Sequence, residues 1–195
     1  MLNDLMSYRL LLGSKSPRRA ELLRLLEWPF EVVSIDVNEE VDSKVPAKDI
    51  PEHLAVRKSM AYGELKDAEL LITSDTVVIL DDQVLGKPAS RQEAINALRS
   101  LSARKHQVIT GVCIRSRQTK QSFSSSTDVS FKALTDEEIV YYVDEHKPFD
   151  KAGAYGIQEW IGAVAVDEIK GSYYNVMGLP VHLLYHQMKA FLEHG

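Results

Sequence analysis

Residues 9–27 read RLLLGSKSPRRAELLRLLE, which indicates a strand, a short loop and a helix in succession. Leucines 10–12 form an apolar run typical of a buried strand. Ser16 stands where a helix is usually capped, and Pro17 suits the first turn, where a missing N–H does no harm. We predict a helix over residues 18–27, whose N-terminal N–H groups and positive dipole end favour an anion at this loop.

Arg18 and Arg19 fall in the first turn of that predicted helix. Positive charge at a helix N-terminus is unfavourable unless an anion lies there, and the arginine fork matches the oxygens of a phosphate. The alternative is two solvated arginines at a helix start. The segment contains neither the Gly-x-x-x-x-Gly-Lys-Ser/Thr motif of P-loop proteins nor a dinucleotide fingerprint.

Strands and helices alternate along the rest of the chain, which predicts an α/β fold. A hairpin around Asp81-Asp82 makes the predicted sheet partly antiparallel. No linker or repeat is present, so we expect one domain over residues 1–195. We predict strands at 30–33, 70–73, 77–80, 83–85, 106–115, 122–132 and 163–169, and helices from Pro51, from the capping boxes at Ser90 and Thr135, and after Pro180.

The composition excludes several classes of protein. A net charge of −5 argues against binding along a nucleic-acid backbone, which requires many basic residues on one face. Cys113 is the only cysteine, so neither an intramolecular disulfide nor a four-cysteine metal site can form. No apolar run reaches membrane-spanning length, and Met1–Tyr8 lacks the features of a signal peptide. We therefore expect a cytoplasmic protein with no membrane or nucleic-acid partner.

Acidic residues supply candidate metal ligands in two places. Asp75 lies in Ser74-Asp75-Thr76, where the predicted strand 70–73 ends, and ligands of α/β sheets gather beyond the carboxyl ends of strands. A turn-forming aspartate is the alternative. Glu39 lies in the acidic stretch 36–42, which is either a source of a further ligand or a solvated loop.

Five motifs together resemble the Maf family, the septum-formation-inhibitor-like nucleotide pyrophosphatases. They are Ser14–Leu23, Ser74–Thr76, Gly86–Pro88, Asp150–Gln158 and Gly171–Pro180, in the order that the family has. The resemblance runs from residue 8 to about residue 185. It implies a fold like that of inosine-triphosphate pyrophosphatases: an elongated mixed β-sheet with surrounding helices and a central cleft between two lobes. It also implies dependence on Mg²⁺ or Mn²⁺ and a homodimer.

Three positions resemble the branch of the family that hydrolyses dTTP and UTP: Arg18, Thr76 and Gln158. The branch that acts on 7-methyl-GTP typically has tryptophan in the place of Arg18. Two alternatives stay open, a family member with another base preference and a non-catalytic nucleotide-binding regulator of cell division. Whether the physiological substrate is a normal or a modified pyrimidine nucleotide also stays open.

Our hypothesis is hydrolysis between the α- and β-phosphates, which releases a nucleoside monophosphate and pyrophosphate. Asp75 and Glu39 would hold the divalent metal and the attacking water. Basic side chains would neutralise the triphosphate and the leaving pyrophosphate. The predicted catalytic residues are Asp75, Glu39, Lys58 and Lys87, and the predicted substrate-binding residues are Ser14, Arg18, Arg19, Thr76 and Gln158.

Overall fold

The computed structural model describes residues 3–42 and 44–194, so Met1 and Leu2 of the N-terminal segment lie outside the described part. The strands are β1 (Arg9–Gly13), β2 (Glu31–Val33), β3 (Glu69–Leu80), β4 (Gln83–Leu85), β5 (Lys105–Arg115), β6 (Lys120–Phe131) and β7 (Val166–Lys170). The α-helices are α1 (Pro17–Arg24), α2 (Ile50–Ala61), α3 (Arg91–Leu101), α4 (Asp136–His146), α5 (Trp160–Ala165), α6 (Tyr173–Met177) and α7 (Val181–His194).

Within the described residues, the seven strands form one mixed sheet in the order β2-β1-β3-β5-β6-β7, with β4 paired to β3. β1 is parallel to both β2 and β3, whereas β4 is antiparallel to β3 and β7 is antiparallel to β6. The predicted α/β class with a partly antiparallel sheet is confirmed. Of the helices in this part of the chain, none combines the length and the apolar character that crossing a bilayer requires.

The chain divides into two compact units. The first contains the described residues up to Asp75, Thr110–Ser125 and the described residues from Gly178 on, and the second contains Thr76–Ile109 and Ser126–Met177. Strands β3, β5 and β6 each contribute residues to both units.

The first unit is built on the opening segment. Leu10, Leu11 and Leu12 are almost fully buried on β1, as their apolar run predicts. α1 then connects β1 to the parallel strand β2, a connection too long for a hairpin and typical of a crossover helix. α1 ends at Arg24 rather than at the predicted Glu27, because Glu27 has a positive φ of 57° that no α-helix contains.

The second unit has its own apolar core, formed chiefly by α3, α4 and the strands beside them. The predicted capping box of α4 is present in full: the Thr135 side chain accepts the Glu138 N–H, and the Glu138 carboxylate accepts the Thr135 N–H. The predicted strand over 163–169 is wrong in its first part, because residues up to Ala165 form α5 and β7 begins at Val166.

The prediction that a strand closes at Ser74-Asp75-Thr76 is also wrong. β3 runs without interruption from Glu69 to Leu80, so these three residues lie in the middle of a long strand. The hairpin with β4 follows only after Leu80, at Asp81 and Asp82, which both have positive φ. Asp75 therefore owes its position to the register of β3 and not to a turn.

Helix α2 packs directly on strand β5 within the first unit. A Cβ added at Gly111 would lie 2.2 Å from the backbone nitrogen of Glu52 and 2.3 Å from the carbonyl carbon of Pro51. Glycine in a strand interior often marks such a close backbone approach. The absent side chain thus allows the first turn of α2 to lie against the sheet.

Replacement of Gly111 by alanine should lower the free energy of unfolding by about 1–3 kcal/mol, because backbone atoms cannot yield as a flexible side chain does. Urea denaturation measures the change. Gly86→Ala is the matched control, since a Cβ there meets nothing within 4 Å. Equal stability of the two variants would contradict the close packing of α2 on β5.

Candidate active site

Two carboxylates meet at one ammonium group in the first unit. Lys58 Nζ lies 2.6 Å from Asp75 Oδ1 and 2.7 Å from Glu39 Oε1. Asp75 is only 8% exposed, whereas Glu39 is exposed. Since both oxygens contact the same nitrogen, they cannot be further apart than the sum of these two distances. The structure therefore brings together three of the four predicted catalytic residues.

A hydrogen bond between β3 and α2 sets the positions of Lys58 and Asp75. The Thr73 hydroxyl donates to the Ala55 carbonyl oxygen at 2.6 Å, and both residues are fully buried. Thr73 precedes Asp75 by two residues, so the two side chains lie on the same face of the strand. Ala55 precedes Lys58 by three residues, which places both on one side of the helix. This bond thus aligns the two elements at the ion pair.

Glu39 reaches Lys58 from a segment without regular structure. The Arg57 guanidinium donates to the carbonyl oxygens of Asn38, at 2.9 Å, and Glu40, at 2.5 Å. The Asn38 side chain in turn accepts the Glu40 N–H at 2.9 Å. Arg57 therefore holds the backbone on both sides of Glu39. The sequence analysis missed Arg57, and its only signal was a second basic residue directly beside Lys58.

The phosphate-binding loop predicted from residues 9–27 has a different hydrogen-bonding pattern from the one expected. Ser16 is the N-cap residue of α1 by position, but its side chain makes no capping bond, so that expectation is wrong. The Ser14 hydroxyl instead accepts the Ser16 N–H at 3.1 Å. Ser14 is 8% exposed, and its hydroxyl fixes the turn before the helix.

Arg19 is oriented by a backbone carbonyl. Its Nε donates to the Gly178 carbonyl oxygen at 2.9 Å, and the Ser74 hydroxyl donates weakly to the same oxygen at 3.4 Å. Gly178 has a φ of 116°, a conformation that residues with a Cβ rarely adopt. The motif Gly178-Leu179-Pro180 therefore supplies the acceptor that holds the arginine, a role that the sequence analysis did not assign.

The surroundings of Arg19 are strongly charged. Burial lowers the pKa of its guanidinium, the charge of Asp75 opposes that shift, and Arg18 adds to it. The Glu39 carboxylate also raises the pKa. An arginine stays protonated in proteins even so. The structure thus places a permanent positive charge in the electrostatic neighbourhood of both predicted metal ligands.

Arg18 is half-buried on α1 in the first unit, whereas Thr76, Lys87 and Gln158 belong to the second unit. Thr76 directly follows Asp75 on β3 and is half-buried, whereas Lys87 and Gln158 are exposed. The Gly153 N–H donates to the Gly86 carbonyl oxygen at 3.1 Å, which joins two of the five motifs within this unit.

The donor set of Asp75 and Glu39 suits a hard divalent cation. Among residues 3–42 and 44–194, no group of three or more histidine, cysteine, aspartate or glutamate side chains could hold a metal ion. Mg²⁺ is usually bound by one or two carboxylates together with oxygens of the substrate phosphates and water. Two carboxylates that already share one cation, Lys58 Nζ, match that requirement.

Comparison with known protein families identifies the family of this chain. The profile of the family described as "Maf-like protein" matches residues 9–191. The chain belongs to the Maf-like family. The resemblance predicted from the five motifs is thereby confirmed, while the roles of individual residues stay predictions.

Relatives of this Maf-like chain are similar over their whole length. A dTTP/UTP pyrophosphatase of Porphyromonas gingivalis is 51% identical over 99% of each chain. One of Parabacteroides distasonis is 50% identical over 98% of this chain and all of its own, and one of Bacteroides thetaiotaomicron is 48% identical over 97% and 99%. Among solved structures, the Ham1 protein of Staphylococcus aureus aligns with a TM-score of 0.50 at 15% identity, over 95% of this chain and 98% of its own. That likeness supports the α/β fold.

The ion pair between Lys58 and Asp75 predicts an energetic coupling. In a double-mutant cycle of Lys58→Met and Asp75→Asn, the two changes should differ from additivity by about 0.5–3 kcal/mol in the free energy of unfolding. The reason is that removal of either partner leaves the other charge poorly compensated in a largely buried place. Urea denaturation of the four proteins measures the coupling.

The exposed Lys48 provides a matched control for this cycle. Lys48→Met combined with Asp75→Asn should be additive. A Lys58 cycle that is equally additive would show that the contact contributes nothing to stability.

Proposed function

We propose that this Maf-like protein hydrolyses dTTP and UTP to the nucleoside monophosphate and pyrophosphate. The identity of about half of all residues with relatives named dTTP/UTP pyrophosphatase supports this, because the alignments extend over nearly the whole chain. The observation that carries the proposal is the convergence of Asp75, Glu39 and Lys58, with Arg19 close enough to be influenced by both carboxylates.

Asp75 and Glu39 are the residues that would hold Mg²⁺ or Mn²⁺, and the ion would supply charge neutralisation and water activation when bound. Asp75 is the proposed acceptor for the proton of the attacking water. Its place in the middle of β3, with the strand bonded to α2 through Thr73, keeps the carboxylate in a fixed direction. Lys58 reduces the repulsion between the two carboxylates and would turn toward the phosphates when substrate binds.

The triphosphate requires several positive groups because negative charge develops on the leaving pyrophosphate. Arg19 is proposed to bind phosphate oxygens with the nitrogens at the end of its fork, since its Nε is committed to the Gly178 carbonyl. Arg18 and the N–H groups near Ser14, which belong to the strand-to-helix turn between β1 and α1, are proposed to bind phosphate as well. Lys87 of the second unit is proposed as a further phosphate ligand.

The base is proposed to be read by Gln158. Uracil and thymine present an N3–H donor between two carbonyl acceptors, and a glutamine amide offers an acceptor and two donors. Cytosine lacks the N3 proton and would leave the amide oxygen unpaired, which costs on the order of 1–3 kcal/mol when the group is buried by substrate. Thr76, half-buried beside Asp75, is proposed to contact either the base or the metal shell.

A panel of nucleoside triphosphates with Mg²⁺ tests this proposal through pyrophosphate release. We expect turnover of UTP and dTTP well above CTP, ATP and GTP, and loss of turnover on chelation with EDTA. Asp75→Asn should abolish release while the fold is retained, and the exposed Asp67→Asn should stay active as its control. Preference for 7-methyl-GTP would contradict the assignment of the base, and binding without any turnover would instead favour a regulator of division.

We further propose that the enzyme is a cytoplasmic homodimer, as the family resemblance implies. Light scattering of the purified protein should give about twice the mass of one chain. A monomeric mass at the concentrations of the activity assay would contradict the dimer.

A further inference from the structure

A tight turn in the second unit carries the residue proposed to read the base. The Glu159 N–H donates to the Gly156 carbonyl oxygen at 3.0 Å, so residues 156–159 form a β-turn with Gln158 at its third position. A Cβ on Gly156 would lie 3.0 Å from Gln158 Nε2 and 2.9 Å from the carboxyl carbon of Glu159. The amide of Gln158 therefore lies close over Gly156, in space that a side chain at residue 156 would begin to occupy.

One buried hydroxyl holds both ends of this turn. Tyr142 on α4 is fully buried, and its Oη accepts the Gly156 N–H at 3.1 Å. The same hydroxyl donates to the Glu159 carboxylate in a short hydrogen bond. Burial, and next the bond to Glu159, raise the pKa of Tyr142 above its ordinary value, so the hydroxyl keeps the proton that it donates. The first and the last residue of the turn thus share one partner.

The Glu159 carboxylate has a second partner, which keeps it in place. Lys151 Nζ lies 3.0 Å from Glu159 Oε1 and 2.8 Å from Asp150 Oδ1. The Lys151 side chain is 9% exposed, and these two carboxylates provide partners for its ammonium group in this buried place. Tyr142, Glu159 and Lys151 together form what we call the turn clamp, a connected polar network whose members all find partners.

Packing behind the turn adds to its rigidity. The Gly162 N–H donates to the Glu159 carbonyl oxygen at 3.0 Å, so α5 continues directly from the turn. A Cβ on Gly162 would lie 1.8 Å from the Ile157 carbonyl oxygen. The helix backbone therefore lies against the turn at a distance that excludes any side chain at residue 162.

We propose that Tyr142, Glu159 and Lys151 are positioning residues that fix the direction of the Gln158 amide and thereby set the preference for uracil and thymine over cytosine. This inference rests on the proposed function. Gln158 is exposed, and a turn whose backbone is already held has less freedom to lose when the side chain binds a base. The contacts of the turn clamp described above are with the turn 156–159 and with Asp150, so it should affect binding of the base more than the chemical step.

Tyr142→Phe tests the proposal because it removes one hydroxyl and keeps the ring. We expect kcat/KM for UTP to fall about fivefold to tenfold relative to CTP, through KM, with kcat nearly unchanged. Gln158→Ala should change the same ratio in the same direction and to a larger extent. Tyr141→Phe is the matched control, since Tyr141 is the neighbouring residue of the same helix and is 50% exposed.

Hydrogen exchange at the Gly156 amide gives a readout that does not depend on activity. We expect faster exchange at Gly156 in Tyr142→Phe and no change in Tyr141→Phe, because only the former removes its acceptor. Glu159→Gln, which keeps an acceptor for Tyr142 but loses the charge that pairs with Lys151, should give an intermediate effect.

The outcomes separate the turn clamp from the proposed function. A lower melting temperature of Tyr142→Phe with an unchanged UTP to CTP ratio would assign Tyr142 to core stability alone and overturn the proposal. Unchanged exchange at Gly156 would overturn it as well. A wild-type protein without pyrimidine preference would refute the proposed function and the selectivity role, while faster exchange in Tyr142→Phe would still establish the turn clamp.

Discussion

The contact of one ammonium group with two carboxylates depends on three segments with different kinds of structure. Lys58 lies on a helix, Asp75 in the middle of a strand, and Glu39 in an irregular segment. Two carboxylates this close repel each other, and a shared cation removes that penalty. Packing keeps the helix that carries Lys58 in place, since α2 packs on β5 at Gly111 and is bonded to β3 through Thr73. Much of the first unit thus serves to hold charges that would otherwise separate.

The segment that carries Glu39 has no regular structure, so other contacts must hold this residue in place. Side chains on helices and strands inherit their direction from the backbone, but Glu39 has no such support. Arg57 supplies it with two hydrogen bonds to the carbonyl oxygens on either side. Such bonds from a charged donor are stronger than those between neutral groups. The two neighbouring basic residues of α2 therefore have different roles. Arg57 holds the backbone around Glu39, and Lys58 contacts the carboxylates.

The sequence predicted the α/β class, the helix after the opening loop and the charged residues Asp75, Glu39 and Lys58 that meet in the structure. These predictions succeeded because hydrophobic periodicity and residue type can be read locally. It did not predict that Asp75 lies within a strand, since Ser74-Asp75-Thr76 has the composition of a turn and burial on both sides overrides that tendency. The acceptor for Arg19 could not be found either. Gly178 is 159 residues away along the chain, and it contributes a carbonyl group that every residue has. The sequence pattern also predicted that the Ser16 side chain caps α1. In the structure it is the Ser14 hydroxyl that accepts a hydrogen bond at this turn, from the Ser16 N–H.

Phosphate binding and recognition of the base place opposite demands on a protein. Phosphates are held by charge, which acts over several ångströms and tolerates movement of long side chains. A base is distinguished by hydrogen bonds, which weaken when the donor and the acceptor are displaced or misaligned. The structure reflects this difference. The lysines and arginines of the predicted phosphate site are long and partly exposed, whereas the turn below Gln158 is held by a buried tyrosine, a partnered carboxylate and a glycine at residue 162 that leaves no room for a side chain. Because selectivity requires a more rigid support than attraction does, the buried polar network of the second unit lies beneath Gln158, the residue proposed to read the base.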